Sequence, residues 1–181
     1  MKWRYLLKLI ADNLRITQPS IVEALKQKDP GPLQTLVQKC EQKKAWAIDV
    51  NTGPLGKSPE KDMHFFIEAV QSATRLPLLI DTSNPAAMEA GLEAAKNRVI
   101  INGFSLEPKK LDYILPLAKA YDTEIVGFLL YPDSRVPKNA EERFNIALTL
   151  FEEADAAGVD REKIIIDPVI PPLAWEEGII Q

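Results

Sequence analysis

The sequence predicts an α/β fold on a parallel, barrel-like sheet, and three observations carry that reading. Short apolar runs rich in Ile, Leu and Val recur along the chain, amphipathic helical stretches separate them, and four of the six runs end on Asp or Asn. A short β-branched run bounded by turn residues fits a buried strand. Strands that alternate with helices build βα units, whose strands lie parallel.

Taken in order, LLKLIA (6–11) is the first strand, and SIVEALKQKD (20–29) and PLQTLVQKCEQKK (32–44) follow with helical spacing. AWAIDVN (45–51) is the second strand. The helix over 58–74 starts with Ser58 at the N-cap, Pro59 at the first helical position and acids in the first turn. LPLLIDTSN (76–84) precedes a helix over 85–97, and RVIINGFS (98–105) precedes one over 107–122. EIVGFLLY (124–131), a long helix over 140–158 stopped by Gly158, and KIIIDPVI (163–170) complete the alternation. Pro168 ends the last strand, because proline cannot donate to a ladder.

The polar residues that close four of these runs are Asp49 and Asn51, Asp81 and Asn84, Asn102, and Asp167. Any one of them is explained as a cap of the next turn. Four at the same strand end point instead to one pocket, since parallel α/β folds keep ligand-binding groups at the C-terminal ends of their strands.

Composition narrows the class. The chain has 181 residues, 46 % hydrophobic and 27 % charged, with a formal charge of −4. This is an ordinary globular balance with no basic track, so nucleic acid and acidic membranes are not expected partners. No stretch approaches the roughly 20 apolar residues of a membrane span, and Lys8 breaks the short apolar start, which argues against a signal peptide. Cys40 is the only cysteine, so no internal disulfide forms and a cytoplasmic setting is expected. It sits in a helical pattern, as a packed thiol would.

Several common chemistries are missing. Neither a GxGxxG nor a GxxxxGK[ST] motif is present, and no His/Cys cluster has metal-ligand spacing. The single histidine, His64, falls inside a helix and is expected to pack or face solvent. Asp81 and Asp167 have the oxygen chemistry to hold Mg²⁺. The accompanying Asn residues point instead to hydrogen-bond recognition of a planar polar heterocycle, with no bound metal. A carboxylate accepts parallel N–H donors, and an amide both donates and accepts.

The run IDVNTGP, then LLIDTSNPAAMEAGLEAAKNRVIIN, then IIIDPVIPP resembles the pterin-binding barrel family that includes dihydropteroate synthase. Within it, the likeness is greatest to methyltetrahydrofolate:corrinoid/iron–sulfur protein methyltransferases, and it extends from about residue 9 to 172. The resemblance implies a TIM-type (β/α) barrel, here incomplete at about six of eight βα units, with the pterin in a polar cleft at the strand C-termini. It matches Asp81, Asn102 and Asp167 to the family's pterin-contacting residues. It also places Asp49 and Asn51, in the D-x-N-x-G-P pattern, on the floor beside them.

Two departures stand out. ADNLR (11–15) replaces the family's Gly-Glu-x-Ile-Asn pattern, so Asp12 takes the place of the acid and Arg15 stands where Asn is expected. The chain also stops soon after the sixth strand, whereas a (β/α)₈ barrel takes about 250 residues. Residues 1–181 are therefore expected to be one pterin-binding barrel domain, truncated at its C-terminus relative to the family. It is either a fragment or completed by a second chain, and a homodimer is a further expectation.

The activity that the resemblance implies is transfer of the N5 methyl of methyltetrahydrofolate to the cobalt of a corrinoid, possibly iron–sulfur, protein, with cobalamin on that partner. Dihydropteroate synthase-like activity is the alternative, but DVNTGPLG lacks that enzyme's Ser-Thr-Arg run. A non-catalytic pterin-binding subunit is a second alternative. Tyr131 ends the fifth strand on the ligand side, where it could lie along a pterin or its tail; Arg135 and Lys138 in the loop over 132–139 could meet a folate's glutamate tail, but are expected to be solvated loop charges. Lys43 and Lys44 suit a helix C-terminus.

Overall fold

The computed structural model describes residues 7–15, 18–51 and 57–170. The chain divides into two compact units, residues 1–102 and 103–181.

The first unit holds β1 (Ile10–Arg15), α1 (Pro19–Gln27), α2 (Gly31–Gln42), β2 (Ala47–Asn51), α3 (Pro59–Gln71), β3 (Leu78–Asp81), α4 (Pro85–Ala94) and most of β4 (Val99–Phe104). Its strands pair in sequence order, β1 with β2, β2 with β3 and β3 with β4, every pair parallel. Ile48, Val50, Leu78, Ile80 and Ile101 have no exposed surface, and on α3 the same holds for Met63, Phe66, Ile67 and Val70. Each such side chain contributes about 1.5–3 kcal/mol when fully buried. Gly91 lets α4 come close: a Cβ there would lie 3.0 Å from Met63 Cγ and 3.2 Å from Ile80 Cδ1.

Two boundaries differ from the sequence expectation. The first strand is Ile10–Arg15 rather than 6–11, because the ladder to β2 runs from Ile10↔Ala47 to Arg15↔Asn51. Leu14 is buried there, while Leu7 and Leu9 are exposed. The register shifts between Ala11 and Leu14, which leaves Asp12 and Asn13 on a bulge. Helix α4 ends at Ala94 rather than at 97, because the buried Gln71 engages the chain just beyond it. Its Nε2 donates to the Ala94 carbonyl at 3.0 Å, and its Oε1 accepts from the Lys96 N–H at 2.7 Å. Asn97 then donates from one amide nitrogen to the carbonyls of Thr74 and Leu76. The KNR block of the sequence thus ties the start of β3 in place.

Ser58 stands at the N-cap position of α3 but makes no side-chain cap bond; Pro59, Glu60 and Asp62 fill the first turn as expected. Trp46 sits just before β2 and stacks under two cations, Lys8 at 4.4 Å and Arg98 at 5.6 Å.

The second unit holds the end of β4, α5 (Pro108–Ala120), β5 (Glu124–Phe128), α6 (Ala140–Ala156), a short 3₁₀ turn (Arg161–Lys163) and β6 (Ile164–Asp167). β5 and β6 pair in parallel, from Ile125↔Ile164 to Phe128↔Asp167. Asn139 caps α6 reciprocally with Glu142: Asn139 Oδ1 accepts from the Glu142 N–H at 2.9 Å, and Asn139 Nδ2 donates to Glu142 Oε1 at 3.2 Å. Gly158 takes φ +74° just past the helix end, the left-handed stop that glycine makes cheaply. In both units, then, parallel strands alternate with helices, the fold that the sequence predicts. Pro171–Gln181, including Trp175 and Ile179, and Thr52–Gly56 of the D-x-N-x-G-P pattern lie outside the described residues.

Candidate functional site

Strand parity decides which side chains share a face. Ile80 packs against α4 at Gly91, so Leu79 and Asp81 project from the opposite face of the sheet. The register sets Asp49 opposite Leu79 and Asn51 opposite Asp81, and it sets Leu79 opposite Ile100. Asp49, Asn51, Asp81 and Asn102 therefore share one face at the C-terminal ends of β2, β3 and β4.

They form two levels. At the outer level, Asn51 Nδ2 donates to Asp81 Oδ2 at 2.6 Å. At the inner level Asp49 pairs with Leu79, which pairs in turn with Ile100, and Asp49 is 7 % exposed. Asn102 reaches down from the outer level, its Nδ2 donating to Asp49 Oδ2 at 3.2 Å. Asn51, Asp81 and Asn102 are half-buried, so the cluster opens toward the strand ends. An ionised carboxylate only accepts. Both amides accordingly turn an N–H to their acid, which sets each carbonyl oxygen on the other side of its Cβ–Cγ axis.

Four of the five residues expected from the sequence thus come together. Asp167 belongs to the second unit, at the C-terminal end of β6. Its Oδ1 accepts from the Val169 N–H at 2.8 Å, and its carbonyl accepts from the Leu129 N–H at 2.9 Å. The first is the local bond of a turn-capping acid. Asn84, which the pattern grouped with Asp81, has a different job. Its Oδ1 accepts from the Ala87 N–H at 3.0 Å and caps α4.

What reasoning along the sequence did not find is the pairing itself. Residue types showed acids and amides at strand ends, but only the parallel register shows which amide holds which acid.

Tyr131 is committed to the loop that follows β5. Its hydroxyl donates to Glu142 Oε2 at 3.0 Å, and the Arg135 guanidinium lies 4.7 Å over its ring. Arg135 also pairs with Asp133 at 2.7 Å. Hydrogen bonds from the Lys138 N–H and from Tyr131 hold the Glu142 carboxyl below its ordinary range. The same bond to Glu142 is the largest cause raising the Tyr131 hydroxyl above its own. His64 is exposed on α3, and Cys40 is a half-buried thiol pushed up by burial. Among the described residues no group of three or more His, Cys, Asp or Glu could hold a metal ion, and no helix is long and apolar enough to cross a membrane.

With this geometry in place, comparison with known proteins is decisive on family. The family model for pterin binding enzymes matches residues 16–177. This chain belongs to the pterin binding enzyme family. The pterin binding fold is also seen in solved structures. A dihydropteroate synthase of Xanthomonas albilineans, in complex with indole-2-carboxylic acid and 6-chloroguanine, superposes with a TM-score of 0.61 at 18 % identity, over 89 % of this chain and 59 % of that one. The Yersinia pestis enzyme with a pterine–sulfa conjugate gives 0.61 at 19 %, over 92 % and 62 %. At such identities the likeness establishes the TIM-type α/β fold, present here in part.

Among curated proteins, a methylcorrinoid:tetrahydrofolate methyltransferase of Eubacterium limosum is 25 % identical over 170 residues, which is 93 % of this chain and 62 % of that protein. The chain thus spans about three fifths of the length of these relatives.

Proposed function

We propose that this pterin binding family member moves a methyl group between the N5 atom of a tetrahydrofolate and the cobalt of a corrinoid protein. The observation that carries the proposal is the paired cluster Asn51–Asp81 and Asn102–Asp49 at the strand ends, in a chain related to a methylcorrinoid:tetrahydrofolate methyltransferase. A half-buried carboxylate and two oriented amides suit the N–H-rich edge of a pterin ring. In this reading Asp81 and Asn102 contact the ring, with Asp49 and Asn51 beside them. Asp167 is included on the strength of the family resemblance.

The chemistry asks little of the protein beyond positioning. In the direction toward cobalt, the methyl leaves N5 without the C–N bonding electrons, and N5 takes up a proton. The partner's corrinoid, when bound, supplies the nucleophilic metal, so no Ser, Cys or Lys nucleophile is required of this chain. Its own residues orient the ring and stabilise it by fixed polar contacts. The related enzyme's name runs in the opposite direction, from corrinoid to tetrahydrofolate, and one site serves both because forward and reverse transfer share a transition state.

Calorimetric titration of the 181-residue chain with methyltetrahydrofolate, beside an Asp81→Ala variant, tests the proposal. Binding that the variant abolishes supports it, and methyl transfer to a corrinoid protein is then followed by the cobalt absorption spectrum. A folded chain that binds no pterin overturns it. Binding of a dihydropterin pyrophosphate with turnover of an aminobenzoate would favour dihydropteroate synthase-like activity instead.

A further inference from the structure

We propose that the Asn102–Gly103 step is a self-modification site that the fold keeps latent. When β4 opens, the Gly103 backbone nitrogen attacks the Asn102 side chain, and the acid so formed cannot rebuild the pair with Asp49. The inference holds whatever the cluster binds, because it concerns the chemistry of the chain alone.

An asparagine converts itself when the nitrogen of the next residue reaches its side-chain carbon. That nitrogen bonds to Cγ and gives up its proton, and Nδ2 leaves as ammonia, which closes a cyclic imide. Water then opens the ring at either carbonyl. One opening leaves an aspartate, the other an isoaspartate whose main chain runs through Cγ. The reaction needs no oxidant, metal or second protein. A side chain on the next residue crowds the attacking nitrogen, so glycine is the neighbour that permits the attack. Asn102 has that neighbour, whereas the other asparagines precede Leu14, Thr52, Pro85, Arg98, Ala140 and Ile146.

Packing demands the glycine that makes this step reactive. A Cβ at position 103 would lie 2.2 Å from the Val126 carbonyl oxygen. The fold restrains the reaction in two other ways. β4 runs from Val99 to Phe104, and its extended backbone turns the Gly103 nitrogen away from the Asn102 side chain. The amide is also held, with Nδ2 donating to Asp49 Oδ2 at 3.2 Å. Both restraints vanish when the strand opens. Neither product fits the folded site. A carboxylate at position 102 would face Asp49, which is 7 % exposed, and two acids that close do not ionise together. An isoaspartate lengthens the main chain and upsets the register that sets Ile100 and Ile101 against β3. Conversion is therefore a one-way step out of the native state.

The test incubates the 181-residue chain at mildly alkaline pH, native and in urea, and follows peptides spanning position 102 by mass spectrometry. In urea, Asn102 is expected to convert before every other asparagine. Gly103→Ala is expected to suppress that conversion there, where no folding is asked of the variant. The native chain is expected to convert Asn102 more slowly by about a hundredfold or more, since small domains keep the open form rarer than about one in a thousand. Asn102→Asp makes one product directly. It is expected to weaken the folding equilibrium by about tenfold or more, the equivalent of one pKa unit, or to prevent folding. A native rate within a hundredfold of the urea rate overturns the inference. So does another asparagine that converts first in urea, undiminished conversion in Gly103→Ala, or an Asn102→Asp chain as stable as the native one.

Discussion

Asn51 and Asp81 face each other directly across the parallel ladder of β2 and β3, and their side chains meet at 2.6 Å. The contact locks a carboxylate that would otherwise rotate, at the half-buried mouth of the cluster. Replacing the amide by a second acid sets two carboxylates at that distance, and both cannot ionise together. Asn51→Asp is expected to weaken methyltetrahydrofolate binding at neutral pH roughly tenfold or more, because one carboxyl becomes a donor. Calorimetry at several pH values reads this, and affinity unchanged from the native chain would remove Asp81 from the site.

Asn84 caps α4, its Oδ1 accepting from the Ala87 N–H. Asn84→Ala is expected to destabilise the chain by about 1 kcal/mol, the usual cost of losing an N-cap. Denaturant melts measure the loss, and pterin affinity measured in parallel is expected to stay within about twofold, which is about 0.4 kcal/mol. A larger drop in affinity with no change in stability would return Asn84 to the site.

Two glycines of the second unit should respond differently to alanine. At Gly103 a Cβ would lie 2.2 Å from the Val126 carbonyl oxygen, a backbone atom that cannot swing aside. Gly103→Ala is expected to cost about 3 kcal/mol, at the upper end of overpacking. At Gly158 the nearest obstacle is the flexible Lys119 side chain at 3.5 Å, so the cost is the left-handed backbone alone, about 1–2 kcal/mol. Chemical denaturation of the two variants side by side checks the ranking.

The Tyr131–Glu142 bond makes stability depend on pH at both ends. The Glu142 carboxyl is held down, first by the Lys138 N–H and then by Tyr131. A depressed carboxyl stabilises the fold above its unfolded range, and that contribution is lost as pH falls through the folded value. The Tyr131 hydroxyl is raised, first by its bond to Glu142. Its contribution is complete below the ordinary tyrosine range near 10 and is lost as pH rises through the folded value. In Tyr131→Phe the part of the alkaline loss that Tyr131 carries is expected to vanish and the acid loss to shrink, but not to disappear, since Lys138 still donates. Melts between about pH 3 and 11 read both limbs.

The sequence alone determined the alternation of strand and helix, and with it the parallel fold, because β-branched runs and helical periodicity are local properties. It also determined that Asn51, Asp81 and Asp167 end strands and that Asp49 and Asn102 lie just inside such ends, since each follows apolar residues directly. Tertiary structure decided what periodicity cannot express. LLKLIA is as apolar as a strand, yet the ladder to Ala47–Asn51 takes Ile10–Arg15 instead, because pairing partners and not hydrophobicity set the register. The helix over 85–97 loses its last turn to Gln71, a residue distant in sequence that competes for the Ala94 carbonyl. Above all, whether an Asn at a strand end caps a helix, as Asn84 does, or steers a carboxylate, as Asn51 does, depends on what the neighbouring strand places 3 Å away. That distance is created only when the strands pair.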